Sequence, residues 1–289
     1  MPGRSGRRQS YGRAVTEPDT QEKQVVVVTG AASGIGAGIA RHAHTRGMRV
    51  VLADIDAAAL ERLAADLGGT ALTRTTDVAD SGSVDRLADL AFDAFGRVDL
   101  LFNNAGIMRA GFLWELRESD WDAALGVNVT GVVNGIRSFV PRMIEQGGTG
   151  RVVNTSSVGG FAPGPMMSPY SASKFAVVAI TECLQMELSM VGAPVSASVL
   201  APGPVVTSVF DNPFGAVSHP AVDQMVAQMR ALLTTDGLDA DTFAEKVFEG
   251  IDRGDFWLAP QGEHLDTMVR QHTATILERR EPVIRPSFR

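Results

Sequence analysis

The chain has 289 residues, 45% of them hydrophobic, with a formal net charge of -7 and a single cysteine. That length can bury a substantial core, and the acidic balance excludes a basic stripe that would release counterions from a nucleic acid. One cysteine, Cys183, excludes an intrachain disulfide and a CxxC metal site, which fits a reducing cytoplasm.

Residues 1–22 carry Arg4, Arg7, Arg8 and Arg13 with almost no apolar side chains. They cannot bury enough surface to offset the entropy of ordering and read as a disordered arginine-rich arm. This arm lacks the apolar stretch of a secretory signal, and no later run approaches the roughly 20 apolar residues of a membrane helix. From Lys23 onward, short β-branched runs alternate with amphipathic stretches. KQVVVVTG, MRVVLADI, ALTRTTDV, VDLLFNNAG, GRVVNTSS, VSASVLAPG and DFWLAP read as strands, several nearly continuous in Val, Ile and Leu, as strands buried on both faces are. Helical patterns occupy 36–46, 57–67, 81–95, 118–146 and 172–191.

This alternation predicts an α/β fold: a three-layer, doubly wound parallel sheet with helices on both faces, built from right-handed crossovers. No Pro/Gly-rich linker divides 23–289, which reads as a single domain. Residues 204–250 break the rhythm. PVVTSVFDNPFGAVSHP is irregular, PAVDQMVAQMRALL turns helical, and together they read as a lid beyond a strand's carboxyl end.

The first strand runs into TGAASGIG, where Gly30, Ser33, Gly34, Ile35 and Gly36 open a helix. Glycines here permit a tight bend and let backbone N–H groups approach a pyrophosphate, which the helix N-terminus also favours. An ordinary turn needs glycine too. Eighteen residues after Gly36, however, Asp54 ends the second strand, where a carboxylate accepts hydrogen bonds from ribose hydroxyls. The same carboxylate repels a 2′-phosphate, and neither Ser33 nor Ile55 supplies a cation for one. Arg49 and Arg62 are poorly placed to do so, and NAD is expected over NADP.

TGAASGIG, NNAG at 103–106, Asn128 in GVNVTG, Ser157 in NTSS, YSASK at 170–174 and PGPVVT at 202–207 follow an order that resembles the short-chain dehydrogenase/reductase family over about 23–207. The resemblance implies a single Rossmann-type domain with about seven parallel strands, NAD(P) binding, and a homo-oligomer, dimer or tetramer. Residues beyond 207 match only in general character, as the family's variable substrate region does.

YSASK places Tyr170, one of two tyrosines, four positions before Lys174, one of three lysines. On a helix, that spacing puts both on one face. A nearby ammonium and a positive nicotinamide ring favour the phenolate of an otherwise poor base, so Tyr170 can exchange a proton with an alcohol while hydride passes to or from the nicotinamide. The resemblance further implies that Lys174 holds the nicotinamide ribose. Ser157 lies thirteen residues before Tyr170, the family's spacing for the serine that polarises the substrate oxygen, and is preferred on that ground to the adjacent Ser156. Asn128 resembles the fourth catalytic residue, which kinks its helix and holds a water linked to the lysine. Asn103, Asn104, Ala105 and Gly106 would line the cofactor and support the sheet. Asp77 and Val78 resemble the adenine-contacting pair, although an aspartate at a strand end also serves turns. Pro202, Gly203, Val205 and Thr207 resemble the turn that binds the nicotinamide carboxamide.

No metal is expected, because His42 and His44 are two apart on a helix and His219, His264 and His272 show no ligand spacing. Cys183 is expected to pack inside its helix. Met108, Phe161, Met166, Met167, Phe210 and Phe214 bracket the predicted chemistry and, with Ser157, are the candidate substrate contacts. An apolar pocket suits a hydrophobic secondary alcohol or ketone, although each of these side chains could equally pack under the lid or at a subunit contact. The favoured reading is an NAD-dependent alcohol dehydrogenase/reductase. An NADPH-dependent ketone or ketoacyl reductase is the alternative, and a catalytically idle dinucleotide-binding redox sensor a more distant one.

Overall fold

Four consecutive valines give β1 (Val25–Thr29) branched side chains on both faces, and all five of its residues are buried. In the computed structural model, which describes residues 23–211, 213, 219–282 and 284, β1 lies at the centre of a seven-stranded sheet. Its other strands are β2 (Arg49–Asp54), β3 (Leu72–Thr75), β4 (Leu100–Asn103), β5 (Gly150–Thr155), β6 (Val195–Leu200) and β7 (Trp257–Leu258). The spatial order is β3-β2-β1-β4-β5-β6-β7, and every pairing is parallel. Val26 sits opposite Val50 of β2 on one side and Leu100 of β4 on the other. The order of strands therefore reverses direction between β1 and β4. The predicted Rossmann-type architecture is the one observed.

The helices follow in chain order as α1 (Gly34–Thr45), α2 (Ala57–Asp66), α3 (Ser81–Phe95), α4 (Glu118–Leu125), α5 (Gly131–Glu145) and α6 (Ser168–Met190). Then come α7 (Pro220–Asp236), α8 (Ala240–Arg253) and α9 (Gly262–Leu277). Side chains alternate across a strand, so Val26 and Val28 face one helical layer while Val25 and Val27 face the other. The first layer brings Ile39 of α1, Leu60 of α2, and Phe243 and Phe248 of α8 onto the sheet. The second uses Leu87 of α3, Phe139 and Met143 of α5, and Leu184 of α6. A smaller cluster joins Met108, Met167 and Phe210 to Val222, Met225 and Met229 of α7.

Four expectations need correction. The helix expected over 118–146 is interrupted by a π-helical turn, Gly126–Thr130, between α4 and α5. The helix expected from 172 begins at Ser168, because Pro169 sits in its first turn, where its fixed φ and missing N–H suit a helix start. Within the span expected to form a lid, 204–250, α8 belongs to the body of the fold, since it buries Phe243, Val247 and Phe248 in the first layer. Cys183 is exposed, because the face of α6 that meets the core carries Leu184 and Leu188. The arginine-rich arm and Phe214 lie outside the described residues.

Phe248 is 1% exposed, with ring centres 5.9 Å from Phe102 and 4.8 Å from His42. Phe248→Ala should cost about 3–5 kcal/mol, read as a fall in the urea midpoint at unchanged slope. A change below about 1 kcal/mol would show that α8 is not anchored to the sheet through this ring.

Candidate functional site

A cleft of about 770 Å³ opens at the carboxyl ends of the strands, where the strand order reverses. Its first wall is the turn after β1. Gly30 has φ +64°, and a Cβ there would lie 2.7 Å from the Ala105 Cα. Gly30, Ser33, Gly34 and Ile35 line the cleft. Gly36 does not, contrary to expectation; it packs behind the loop, where a Cβ would meet the Gly30 carbonyl oxygen at 2.0 Å. Its lack of a side chain lets the helix pack against the loop. Asp54 closes this end: one carboxylate oxygen accepts from the Ala32 N–H at 3.0 Å and the other from the Asp56 N–H at 3.1 Å. Asp77 and Val78 line the same end, and Asp77 also accepts from the Ala79 N–H, as a turn residue would.

Thr29 was not singled out by sequence, yet its hydroxyl organises the middle of the cleft. It donates to the Phe102 carbonyl at 3.1 Å and accepts from the N–H groups of Asn104 and Ala105 at 2.9 and 3.1 Å. Asn104, Ala105 and Gly106 line the cleft. Asn103 is buried beneath them, donating to Asn154 at 2.9 Å in a chain that continues to Thr181.

Asn128 is fully buried in the π-helical turn. Its Oδ1 accepts from the Ile107 N–H at 2.8 Å, and its Nδ2 donates to the Ile107 carbonyl at 3.0 Å and to Ser173 Oγ at 2.9 Å. Three hydrogen bonds to two other segments fix the inserted turn, a device often found beside functional sites. Asn128 does not itself line the cleft. It positions Ile107 and the start of α6, which do.

Tyr170 and Lys174 stand in the first two turns of α6. Lys174 is 4% exposed, and its Nζ donates to the Thr155 carbonyl at 2.8 Å, 5.6 Å from the centre of the Tyr170 ring. Ser157, two residues beyond β5, neighbours the Tyr170 hydroxyl and accepts from the Gly159 N–H at 3.1 Å. The adjacent Ser156 instead donates to the Lys174 carbonyl at 2.8 Å, which commits it to the backbone. Burial pulls the Lys174 ammonium down to about 8 and pushes the Tyr170 phenol above its ordinary value, the Ser157 hydrogen bond acting against that rise. The sequence led us to expect a phenol lowered by its lysine; at 5.6 Å from the ring the ammonium faces Thr155, and desolvation prevails.

Pro202, Gly203, Val205 and Thr207 close the far wall. The turn is held by Gln261, which accepts from the Gly203 N–H at 3.0 Å, and by the Val158 N–H, which donates to the Pro202 carbonyl at 3.0 Å. Of the candidate substrate contacts, Met108, Met167 and Phe210 line the cleft with Ser157. Phe161 does not: the short 3-10 turn Val158–Gly160 carries it outward, edge-on to Trp257 at 5.7 Å. Met166, at φ 60°, packs into the lid cluster beside the cleft rather than lining it. Sequence reasoning missed Met229, Leu232 and Leu233 of α7 and His264, Thr267, Met268 and Gln271 of α9, all of which do line it. The 264, 267, 268, 271 spacing of one helical face was the available signal.

Residues 24–214, more than half of the chain, match the short chain dehydrogenase family. The chain belongs to the short-chain dehydrogenase/reductase family. It is 33% identical over 254 residues to the CLA biosynthesis dehydrogenase/reductase of Lactiplantibacillus plantarum, covering 83% of this chain and 89% of the relative. It is 36% identical over 230 residues to the 1-deoxy-11-beta-hydroxypentalenate dehydrogenase of Streptomyces exfoliatus, covering 77% and 82% of the two chains. A short-chain dehydrogenase/reductase from Burkholderia phymatum, solved in complex with NAD, superposes with a TM-score of 0.86 at 36% identity, covering 91% of this chain and 98% of that one. The short-chain dehydrogenase/reductase described here is thus an oxidoreductase of a family that binds nicotinamide dinucleotides. Its residues fit that group: Gly30 and Gly34, both at positive φ, line the cleft at the head of α1, with Asp54 and Lys174 further along its wall.

Because the folded value of Lys174 lies below 10.5, the folded chain holds fewer protons there than the unfolded chain between about pH 8 and 10.5. Stability at this site therefore rises with pH across that window. Lys174→Met, which cannot titrate, should lack the gain. The urea stability of the native chain should rise relative to the variant by about 1–3 kcal/mol from pH 8 to pH 10. A constant difference would show that the ammonium is not penalised by burial.

Proposed function

We propose that the chain transfers a hydride between NAD(H) and the carbinol or carbonyl carbon of an apolar secondary alcohol or ketone. The observation that carries this reading is the Ser157–Tyr170 hydroxyl pair opening into the cleft beside the buried Lys174. A bound nicotinamide dinucleotide supplies the hydride acceptor or donor. Ser157 holds the substrate oxygen, which places it against the Tyr170 phenol. In oxidation the Tyr170 phenolate accepts the hydroxyl proton, and in reduction the phenol returns it to the developing alkoxide. Lys174 would anchor the nicotinamide ribose, and the positive nicotinamide ring would draw down a phenol that burial holds too weakly acidic. Asn128 acts at one remove, as a positioning residue for Ile107 and Ser173.

The preference for NAD is supported by charge. Asp54 lines the cleft, and Lys174 is the sole lysine or arginine among the described residues that do. Arg49 is engaged elsewhere, its guanidinium 5.2 Å from the centre of the Phe95 ring. The apolar substrate class is supported by Met108, Met167, Phe210, Met229, Leu232 and Leu233 around the reacting end.

Two measurements bear on these assignments. Tyr170→Phe should lower kcat by about 10²–10⁴-fold on a panel of apolar secondary alcohols with NAD⁺, followed by nicotinamide absorbance, while NADH still binds; a variant that keeps its turnover would remove the proposed acid/base. By fluorescence titration, NADH should bind the native protein at least about tenfold, ~1.4 kcal/mol, more tightly than NADPH, and Asp54→Ala should narrow that gap. Equal affinities in the native protein would overturn the assignment of NAD.

A further inference from the structure

We propose that the substrate of this cleft carries a second hydrogen-bonding group, a hydroxyl or carbonyl remote from the reacting carbon, and that the polar face of α9 reads it. This rests on the hydride-transfer site described above and narrows its substrate class. His264, Thr267, Met268 and Gln271 recur at intervals of three and four, so they form one stripe along α9, and all four line the cleft. The stripe is held in place from both ends. Gln261, just before α9, is bonded to the Gly203 N–H at 3.0 Å, and His272 sets its ring edge-on to Phe175 at 6.0 Å, one residue beyond Lys174. Between these anchors α9 passes the Val158–Gly160 turn that follows Ser157. The stripe therefore faces the substrate end of the cleft.

The side chains of His264 and Gln271 make no hydrogen bond among the described residues, whereas Thr267 donates to the Glu263 carbonyl at 2.9 Å and keeps its acceptor lone pairs. The remaining substrate-end wall is apolar, formed by Met108, Met167, Phe210 and α7. A wholly hydrocarbon substrate filling this space would strip water from His264 and Gln271 and return nothing. A molecule with an apolar body, its carbinol at Ser157 and an oxygen function at the opposite end satisfies both walls. No lysine or arginine of α9 lines the cleft, and Glu263 and Asp266 flank the stripe on the same helix. That charge pattern selects a neutral group over a carboxylate or phosphate.

The test compares a secondary alcohol on a cyclohexyl skeleton with the same compound bearing a hydroxyl at the far ring carbon. With NAD⁺, the native protein should favour the diol about tenfold in kcat/KM through a lower KM, with kcat little changed. His264→Leu combined with Thr267→Val and Gln271→Leu should abolish that preference, raising KM for the diol about tenfold, to that of the simple alcohol. The positions are exposed; should the triple variant melt early, His264→Leu and Gln271→Leu alone should each lose part of the preference. No preference in the native protein, or one that survives the substitutions, overturns the proposal. Calorimetric binding of both alcohols to the Tyr170→Phe protein with NAD⁺ separates this from the parent reading. A binding preference without native turnover sinks the hydride-transfer reading and leaves the α9 contact standing, whereas turnover without preference does the reverse.

Discussion

Because all seven strands run the same way, every strand delivers its chain to the next segment at one edge of the sheet, and the reversal of strand order beside β1 opens a crevice there. The width of that crevice is set by one hydroxyl. Thr29 bridges the end of β1 to the segment after β4 through a donated bond and two accepted ones. It brings the glycine loop and the Asn104–Gly106 segment so close that only glycine fits at position 30. Shape at the glycine-loop end of the cleft thus follows from backbone contact, with few side chains intervening.

At the other end the constraint is charge. An ammonium buried among backbone carbonyls has a strong cost, and the structure offsets it with the Thr155 carbonyl and with a dense set of ties around the same turn of α6. Ser156 donates to the Lys174 carbonyl, Asn128 donates to Ser173, and Ser173 donates to the Tyr170 carbonyl. Each tie leads to a different element or back into the helix. Helix α6 therefore cannot shift relative to β5 without breaking several buried bonds at once, and Tyr170, Ser157 and Lys174 keep their mutual geometry.

The sheet, its parallel sense and much of the cleft wall were legible in the sequence, because continuous Val runs, glycine turns and Asp54 carry their meaning locally. YSASK was legible for the same reason, since one turn of helix fixes its two key side chains. Other features depend on partners far along the chain. Thr29 reads as an ordinary strand end until Asn104 and Ala105 arrive from β4. Phe161 reads as a pocket residue until the turn before it points it at Trp257. Tyr170 packs against a cluster completed by Phe210 and α7, a contact that no local pattern announces. The α9 stripe had a readable period, but nothing before the fold was known said that it met the cleft.

The π-helical turn has a further consequence, for how this chain can change. A π-helical turn takes up one extra residue locally, and here α4 buries Asp120 and Ala124 before the turn while α5 buries Phe139, Val140 and Met143 after it. At about 100° per residue those buried positions fall into step once one residue of the turn is discounted. Deleting a single residue in 126–130 would therefore leave Phe139 and Met143 on the sheet and remove instead the widened turn that seats Asn128 against Ile107 and Ser173. The insertion serves the position of Asn128, and the packing of α5 does not depend on it.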